Sequence, residues 1–294
     1  MNDADETIPL GSAETSQNPN CPCTLSWFLV FTFIISLAAL GWQYIRVDQQ
    51  FQHQTQNLSD ITLQLERDRS FLNFEAGHYK QSLKSIGSAL SINPGQEDLA
   101  HLKAKVLAKL GQTNNAIQLL SQFINDQPND AQSLLQRGQL FIQLAAYPKA
   151  IDDFRSAASV TPKNEAIFLA LAKAHQATKA YKLAVIAYST VLDLNPTNTD
   201  ALWQRSIIYQ QINQPKTGIE DLTRLITQQP NNHAAYQLRA AMYAQLGRHK
   251  LALEDNQRVD NLSTQSADSQ LQRGISLHAL KQYSEAQQQF DTLI

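Results

Sequence analysis

Cysteine is nearly absent from the chain, and charged residues are sparse and almost balanced. The only cysteines in 294 residues are Cys21 and Cys23, so the sequence after them can form neither a disulfide nor a thiolate metal site. Charged residues make up 17% of the chain, and the formal net charge is -2. A nearly neutral chain has no general electrostatic attraction for a phosphate backbone, which argues against nucleic acid as a partner.

Catalytic and metal-binding motifs are also missing. The sequence contains no GxxxxGK, GxGxxG, GxSxG or HExxH segment. Its seven histidines are scattered along the chain, whereas the ligands of a metal site are clustered. We therefore expect no enzymatic activity, no cofactor and no bound metal.

The first 24 residues differ in composition from the rest and contain no lysine or arginine. Their acidic residues are Asp3, Asp5, Glu6 and Glu14. Such a polar segment cannot bury enough apolar surface to offset the entropy of ordering, so we expect a disordered acidic tail at 1–24. Four roles stay open for Cys21 and Cys23: lipidation beside a membrane, an inter-chain disulfide, half of a metal site, or none.

Residues 25–45 form a long uncharged apolar run, LSWFLVFTFIISLAALGWQYI. As a helix this run spans roughly 31 Å, about the hydrocarbon thickness of a bilayer. Trp27 lies at one end and Trp42 and Tyr44 at the other, where amphipathic rings favour the membrane interface. A cleaved signal peptide would have basic leading residues and a shorter apolar core, so we interpret the run as a retained transmembrane helix.

The segment after residue 45, with a stalk expected at 46–62, continues with apolar side chains at helical spacing. The apolar positions are Val47, Phe51, Leu58, Ile61 and Leu65. Gln54 interrupts the pattern, and two heptads are too few to establish a coiled coil. We expect a helical stalk that leaves the membrane and packs on the domain that follows.

Positive charge indicates the orientation of the chain in the membrane. Arg46, Arg67 and Arg69 follow the apolar run, while the segment before it has no basic residue. Because lysine and arginine favour the cytoplasmic side, we expect a single-pass membrane protein whose larger domain faces the cytoplasm.

A fixed interval separates five prolines in the remaining sequence. They are Pro94, Pro128, Pro162, Pro196 and Pro230, each 34 residues after the one before. A period of this length is typical of a repeat solenoid. When each proline is placed at repeat position 32, the repeats cover 63–96, 97–130, 131–164, 165–198, 199–232, 233–266 and, incompletely, 267–294.

Two other repeat positions carry only glycine, alanine or serine. Position 8 holds Ser70, Ala104, Gly138, Ala172, Ser206, Ala240 and Gly274. Position 20 holds Ser82, Ala116, Ala150, Ala184, Gly218, Ala252 and Ala286. Antiparallel helices approach closely only where the side chains at their crossing are small. The pattern predicts that each repeat is a helical hairpin whose two helices touch at positions 8 and 20.

Residues at the ends of the predicted helices agree with this register. Position 34 holds the N-cap residues Asp130, Asn164, Asn198, Asn232 and Ser266. Position 15 holds Gly77, Gly111, Asn213 and Gly247, which suit the left-handed conformation that ends a helix. The prolines at position 32 should stop each second helix.

The third repeat, AQSLLQRGQLFIQLAAYPKAIDDFRSAASVTPKN, resembles the tetratricopeptide-repeat family closely. The matching residues are Leu134, Gly138, Phe141, Tyr147, Ala150, Phe154, Ala157 and Pro162. The resemblance implies an all-α, right-handed solenoid of about seven hairpins, here preceded by one transmembrane helix. The first repeat departs from the pattern at Glu66 and Asn73. The seventh repeat is incomplete, so we expect either that something else covers Phe290 and Ile294 or that the chain is shortened.

Every repeat with an aspartate at position 23 also has an arginine at position 7. The pairs are Arg137 with Asp153, Arg205 with Asp221, and Arg239 with Asp255. The fourth repeat lacks both members, with Leu171 and Ala187 in their places. We predict a partly buried ion pair between the two helices of each of these three hairpins.

The family resemblance also implies a concave binding face lined by positions 2, 5, 9, 12 and 13 of the first helices. Here the candidate groove residues are His101, Lys105, Leu135, Gln139, Leu169, Lys173, Gln176, Trp203, Ile207, Gln210 and Gln237. Lys105 and Lys173 lack the Asn and Arg with which chaperone-binding members hold a terminal carboxylate, so an uncharged, partly apolar peptide is the expected ligand. Trp203 is either the main anchor of this groove or a residue packed between hairpins.

Three histidines are assigned from the same register. His175, at position 11, should be a core residue, while His101 and His278 fall on faces open to the groove and should be solvated. Together these patterns predict a membrane-anchored scaffold that binds a protein partner. The alternative is a self-assembling structural component of a membrane complex that forms a homo-oligomer through its stalk or C-terminal end.

Overall fold

The computed structural model describes residues 22–262 and 267–293, and all secondary structure in these ranges is helical. The chain divides into two units, one ending at Leu65 and one beginning at Glu66. The helices are α1 Pro22–Glu75, α2 Tyr79–Ile92, α3 Glu97–Lys109, α4 Thr113–Asp126, α5 Ala131–Gln143, α6 Tyr147–Val160, α7 Glu165–Ala177, α8 Tyr181–Leu194, α9 Thr199–Gln211, α10 Pro215–Gln228, α11 His233–Gln245, α12 His249–Leu262, α13 Ala267–Ala279 and α14 Tyr283–Asp291.

The first unit consists, where it is described, of the long helix α1 up to Leu65. This helix is apolar and long enough to cross a membrane, and the side chains of its most apolar window are not buried. The hydroxyls of Thr32 and Ser36 donate to the carbonyls of Leu29 and Phe33, so these polar groups are satisfied within the helix. The Arg46 guanidinium lies 5.6 Å from the centre of the Trp42 ring. Cys21 and most of the predicted acidic tail lie outside the described residues.

In the second unit the predicted repeat register matches the helices. From the second repeat onward each first helix begins at a predicted repeat start, from Glu97 in α3 to Ala267 in α13. The first helix of the first repeat is the C-terminal part of α1, and each second helix begins at position 17. The helices that precede a position-32 proline end two residues before it, as α6 does at Val160. The repeat unit is therefore a solenoid of hairpins.

Side chains at position 34 cap the first helices. Asp130 accepts hydrogen bonds from the backbone N–H groups of Gln132 and Ser133, and Asn164 accepts one from Ala166. Asn198 and Asn232 do the same at α9 and α11. Hydrogen bonds from Ser133, His101 and Gln132 outweigh burial and hold the pKa of Asp130 below its usual 3.8. Ser266 lies outside the described residues.

The turn inside every hairpin places position 15 in the left-handed region of the backbone. The predicted residues Gly77, Gly111, Asn213 and Gly247 all have positive φ. The same conformation occurs at Ala145, Lys179 and Lys281, whose side chains disfavour it. The fold thus imposes this conformation at position 15 whatever the residue type.

Small residues at position 8 make room for the side chain at position 24. A Cβ atom on Gly138 would lie 2.4 Å from a ring carbon of the buried Phe154, and Gly274 stands in the same relation to Phe290. At position 20, a Cβ on Gly218 would lie 2.7 Å from the terminal carbon of Met242 in the next repeat. Small residues therefore serve both packing within a hairpin and packing between successive hairpins.

Candidate partner-binding groove

The three predicted arginine–aspartate pairs are in direct contact and bidentate. The Arg137 Nε and Nη2 atoms donate to Asp153 at 2.9 and 2.7 Å. Arg205 contacts Asp221 at 2.8 and 2.7 Å, and Arg239 contacts Asp255 at the same two distances. The hydrogen bond to Asp255 holds the pKa of Arg239 above its usual value, despite the opposing effect of burial. Such paired geometry is the strongest form of a charge-assisted hydrogen bond.

Each of these arginines also reaches the preceding repeat. The Nη1 atom donates to the position-25 hydroxyl there: Arg137 to Ser121 at 3.0 Å, Arg205 to Ser189 at 2.8 Å, and Arg239 to Thr223 at 3.1 Å. We call the arginine, its aspartate and this hydroxyl an arginine bridge. The three arginine bridges therefore tie neighbouring hairpins together as well as the helices within a hairpin.

The fourth repeat replaces the arginine bridge with apolar packing. Leu171 and Ala187 belong to the central hydrophobic core, and His175 is buried there, as its repeat position predicted. Burial lowers the pKa of His175 below its usual 6.5, and the positive charge of Arg155 lowers it further.

Two adjoining cavities lie along the first helices of repeats one to four. The first, which we call the Gln136 cavity, has a volume of about 240 Å³. It is lined by Phe74, Ala104, Lys105, Ala108, Lys109, Leu120, Gln136, Gln139, Leu140 and Gln143. The second, the Leu169 cavity, has a volume of about 310 Å³. It is lined by Gln139, Ile142, Phe154, Ala166, Leu169, Ala170 and Lys173. Gln139 lines both cavities, and most of the lining side chains are apolar.

Four of the predicted groove residues come together at these cavities. Lys105 and Gln139 line the first cavity, and Gln139, Leu169 and Lys173 line the second. The Lys173 ammonium lies 2.8 Å from the Asp200 carboxylate, and about half of the lysine side chain remains exposed. The cavities are therefore apolar hollows with cationic groups at their edges.

Three predictions for single residues differ from the structure. Leu135 is buried in the hydrophobic core, because neighbouring hairpins cover the inner part of α5. The His101 side chain is only 15% exposed, since its Nε2 atom lies 2.9 Å from both Asp130 and Ser133 at the start of α5. His101 is therefore not a solvated groove residue. Trp203 is partly buried and packs on the core, which supports the packing alternative over the exposed anchor.

The remaining predicted residues lie outside the two cavities. The Gln176 amide donates to Gln204, and its oxygen accepts the Tyr188 hydroxyl at 2.7 Å. Ile207 and Gln237 are half-buried, and Gln210 is exposed. His278 is exposed, as predicted, with its ring 5.4 Å from that of Tyr283.

The structure adds Gln136 and Lys109, which the sequence did not single out. Gln136 is buried, and neither of its amide atoms has a hydrogen-bond partner among the described residues. It occupies position 6, between two groove positions, where other repeats carry leucine or alanine as well as glutamine. A polar residue at a position that other repeats fill with an apolar one is the sequence feature that could have marked it.

Comparison with known proteins agrees with this architecture. A family model for the N-terminal tetratricopeptide-repeat region of Psidin matches residues 71–204. The human protein O-mannosyl-transferase TMTC1 is 24% identical over 134 residues, which are 44% of this chain and 15% of that protein. The chain thus spans a small part of this relative, whose name describes an activity of the whole relative.

Solved structures share the fold at low sequence identity. A tetratricopeptide-repeat protein from Parabacteroides merdae superposes with a TM-score of 0.55 and 17% identity, over 79% of this chain and 92% of that one. YrrB, described as having an unusual peptide-binding site, gives 0.56 and 18%, over 67% and 97%. MamA from Desulfovibrio magneticus gives 0.52 and 15%, over 58% and 97%. Its repeats, helices and structural neighbours alike show that this chain has the tetratricopeptide-repeat fold.

Proposed function

We propose that this protein is a membrane-tethered scaffold that captures a segment of a protein partner in the groove formed by the Gln136 and Leu169 cavities. The observation that carries the proposal is the pair of adjoining, mostly apolar cavities that share Gln139. Their combined length along four successive hairpins suits an extended peptide or one helix better than a compact small molecule. Binding, not catalysis, is the activity of such a surface.

Helix α1 supports the tether. Many of its apolar side chains are exposed, with Phe28, Phe33 and Trp42 between 65% and 76% exposed, which is unfavourable in water and favourable in lipid. We propose that residues 25–45 cross the bilayer once, that residues 46–62 form the stalk, and that the repeats lie on the cytoplasmic side.

Photo-cross-linking on the full chain in its native membrane tests the groove. A photoreactive phenylalanine analogue at Gln139 should yield a discrete adduct with a partner protein. The matched control places the analogue at Gln118, an exposed glutamine on the second helix of the second repeat, and should yield none. Lys173→Glu should weaken the Gln139 adduct. Equal adducts at both sites, or no adduct at Gln139, would contradict the groove assignment.

Fractionation tests the tether and its orientation. The full chain should stay in the membrane pellet at alkaline pH, and a variant with Phe33→Arg and Leu37→Arg should be released, because charge in the bilayer centre is costly. A protease added outside intact cells should leave the repeats uncut and should cut them once the cells are opened. Digestion in intact cells would reverse the proposed orientation.

Self-assembly is a second candidate function, and the exposure of the stalk favours it. Val47, Phe51, Leu58, Ile61 and Leu65 keep heptad-like spacing on α1, and each is 59% to 66% exposed. If these residues pair two copies, the full chain in nanodiscs should have the mass of an oligomer. Leu58→Gln with Ile61→Gln should return it to a monomer. A monomeric wild type would exclude this candidate.

A further inference from the structure

Gln136 is a buried amide without a partner at the wall of a cavity. The residue is 5% exposed, and both Nε2 and Oε1 lack a hydrogen-bond partner among the described residues. Buried side-chain amides are nearly always hydrogen-bonded, because a buried donor or acceptor without a partner lowers the stability of the fold. By contrast, Gln176 and Gln204, also on first helices, are hydrogen-bonded to each other. Gln136 therefore points to a ligand that supplies one acceptor and one donor side by side.

The other walls of the Gln136 cavity define the rest of that ligand group. Phe74, Ala104, Ala108, Leu120 and Leu140 make the cavity largely apolar. Its volume, about 240 Å³, is below the range of pockets that hold drug-sized molecules and suits one side chain. A glutamine side chain meets both conditions: its aliphatic stem contacts the walls, and its carboxamide can exchange two hydrogen bonds with the carboxamide of Gln136 when the Gln136 side chain turns towards the cavity.

Two lysines at the rim define what flanks the glutamine. Lys105 and Lys109 line the same cavity, and both are exposed. Neither takes part in an ion pair within the ranges 22–262 and 267–293. Two adjacent cationic groups without a carboxylate partner favour an acidic residue beside the inserted side chain.

We infer that the Gln136 cavity selects a peptide segment that inserts a glutamine side chain and carries an acidic residue beside it. The inference rests on the proposed binding function and names the partner chemistry of its groove. An inserted leucine would leave the amide of Gln136 without hydrogen bonds, and an inserted asparagine would be too short to fill the cavity.

Peptide selection on the full chain in nanodiscs tests this inference. A random nonapeptide display library is first depleted on a Gln139→Arg variant, whose bulk obstructs both cavities, and is then selected on the wild-type protein. Recovered peptides should be enriched in glutamine over leucine by about tenfold, with Asp or Glu nearby. Gln136→Leu should reverse this preference towards leucine or methionine. Gln136→Leu should fold normally, because an apolar residue of similar size replaces a buried amide.

Gln143→Leu is the matched control, since Gln143 lines the same cavity but is exposed. It should leave the preference for glutamine unchanged. Selection of leucine by the wild type, the same peptides from wild type and Gln136→Leu, or no peptide above the depleted background would each overturn the inference. The cross-link at Gln139 distinguishes this from failure of the proposed function: if it persists, the groove binds a partner of different chemistry.

Discussion

Asp221 lies beside Arg205 with only 3% of its side chain exposed. Removing the arginine alone would leave a buried carboxylate without its counter-charge. We therefore expect Arg205→Leu to lower the free energy of unfolding by about 3–5 kcal/mol. A urea titration of the full chain in detergent, followed by the fluorescence of the partly buried Trp203, measures the change.

The fourth repeat supplies the control for this prediction. It carries Leu171 and Ala187 where the fifth carries Arg205 and Asp221, and it packs both in the core. The double variant Arg205→Leu with Asp221→Ala should therefore be more stable than Arg205→Leu alone. A double variant whose loss equals the sum of the single losses would show that the two side chains are not energetically coupled.

Burial of His175 makes stability depend on pH in a defined direction. Its pKa is lowered in the folded state, so the unfolded chain takes up a proton first as the pH falls below about 6.5. Its contribution to stability is thus complete above that pH and is lost as the pH falls towards the folded pKa.

His175→Phe removes the titrating group and keeps an aromatic side chain like Phe141 at the same position of the third repeat. Between about pH 7.5 and about pH 5, urea titrations should show a larger loss of unfolding free energy for the wild type than for this variant. Equal losses in both proteins would mean that His175 does not carry the pH dependence.

Single residues were predictable where repeats could be compared with one another. The joint presence of Arg137 and Asp153, and the joint absence of both residue types in the fourth repeat, identified a contact without any structure. The burial of the Leu135 and His101 side chains was not predictable in this way. Repeat position fixes the direction of a side chain, but its burial depends on neighbours such as Asp130 and Ser133, which differ between repeats.

At the scale of the hairpin, the inner turn requires positive φ at position 15, and Ala145 adopts it with φ 55. A side chain in this region costs about 1–2 kcal/mol, part of which glycine would recover. Ala145→Gly should therefore raise the free energy of unfolding by about 0.5–1 kcal/mol, as measured by urea titration.

The reverse substitution at an equivalent turn is the control. Gly111 has φ 77, and a Cβ atom there would meet no other atom within 4 Å, so Gly111→Ala tests backbone strain alone. It should lower stability by about 1 kcal/mol. If Ala145→Gly destabilises the protein while Gly111→Ala does not, strain at position 15 is not what determines these turns.

Hairpin packing was predicted correctly in outline and incompletely in detail. In the first repeat, the Ser82 hydroxyl donates to the carbonyl of Ser70, so positions 20 and 8 are adjacent there, as predicted. The structure shows a further reason for small residues at position 8. Glycine occurs in the two repeats with phenylalanine at position 24, namely those of Gly138 and Gly274. The 34-residue period alone could not reveal this dependence, because the residue at position 8 changes with the residue at position 24 and neither is the same in every repeat.

At the scale of the whole molecule, buried polar atoms without partners are concentrated near the C-terminal repeats. Within the described residues they include His249 Nδ1, both amide atoms of Asn256 and the Ser276 hydroxyl. Because such groups are costly, we expect the amides of α12 to α14 to exchange hydrogen faster than those of α7 to α10. Hydrogen-exchange mass spectrometry on the full chain measures the difference.

Asn256→Leu should slow this exchange and raise local stability by about 1–3 kcal/mol. Asn256 occupies position 24, where the preceding repeat has the fully buried Leu222. Leu222→Asn should have the opposite effect and lower local stability by about 3 kcal/mol or more, because a buried amide without hydrogen bonds replaces a packed side chain. Unchanged exchange in Asn256→Leu would show that the amide is not what weakens these repeats.

The fold was predictable because the same pattern recurs in successive repeats, so a departure in one repeat does not hide the helix boundaries. Five equally spaced prolines and two rows of small residues set the register of nearly every described helix. The groove was less predictable, since cavities form where particular side chains fail to fill space. Gln139 and Leu169 line such spaces, whereas Trp203 packs on the core.

The arginine bridges make the order of the repeats part of the design. In each of the three arginine bridges, the hairpin with arginine at position 7 follows one that offers a hydroxyl at position 25, as Ser189 does for Arg205. The fourth repeat has no arginine at position 7 and so needs no hydroxyl from the third repeat, which has Arg155 at position 25. Shuffled hairpins should therefore pack well only where each arginine of a bridge still follows a hairpin with the position-25 hydroxyl. The junction after the third repeat has no arginine bridge and is a suitable point for inserting or deleting a unit.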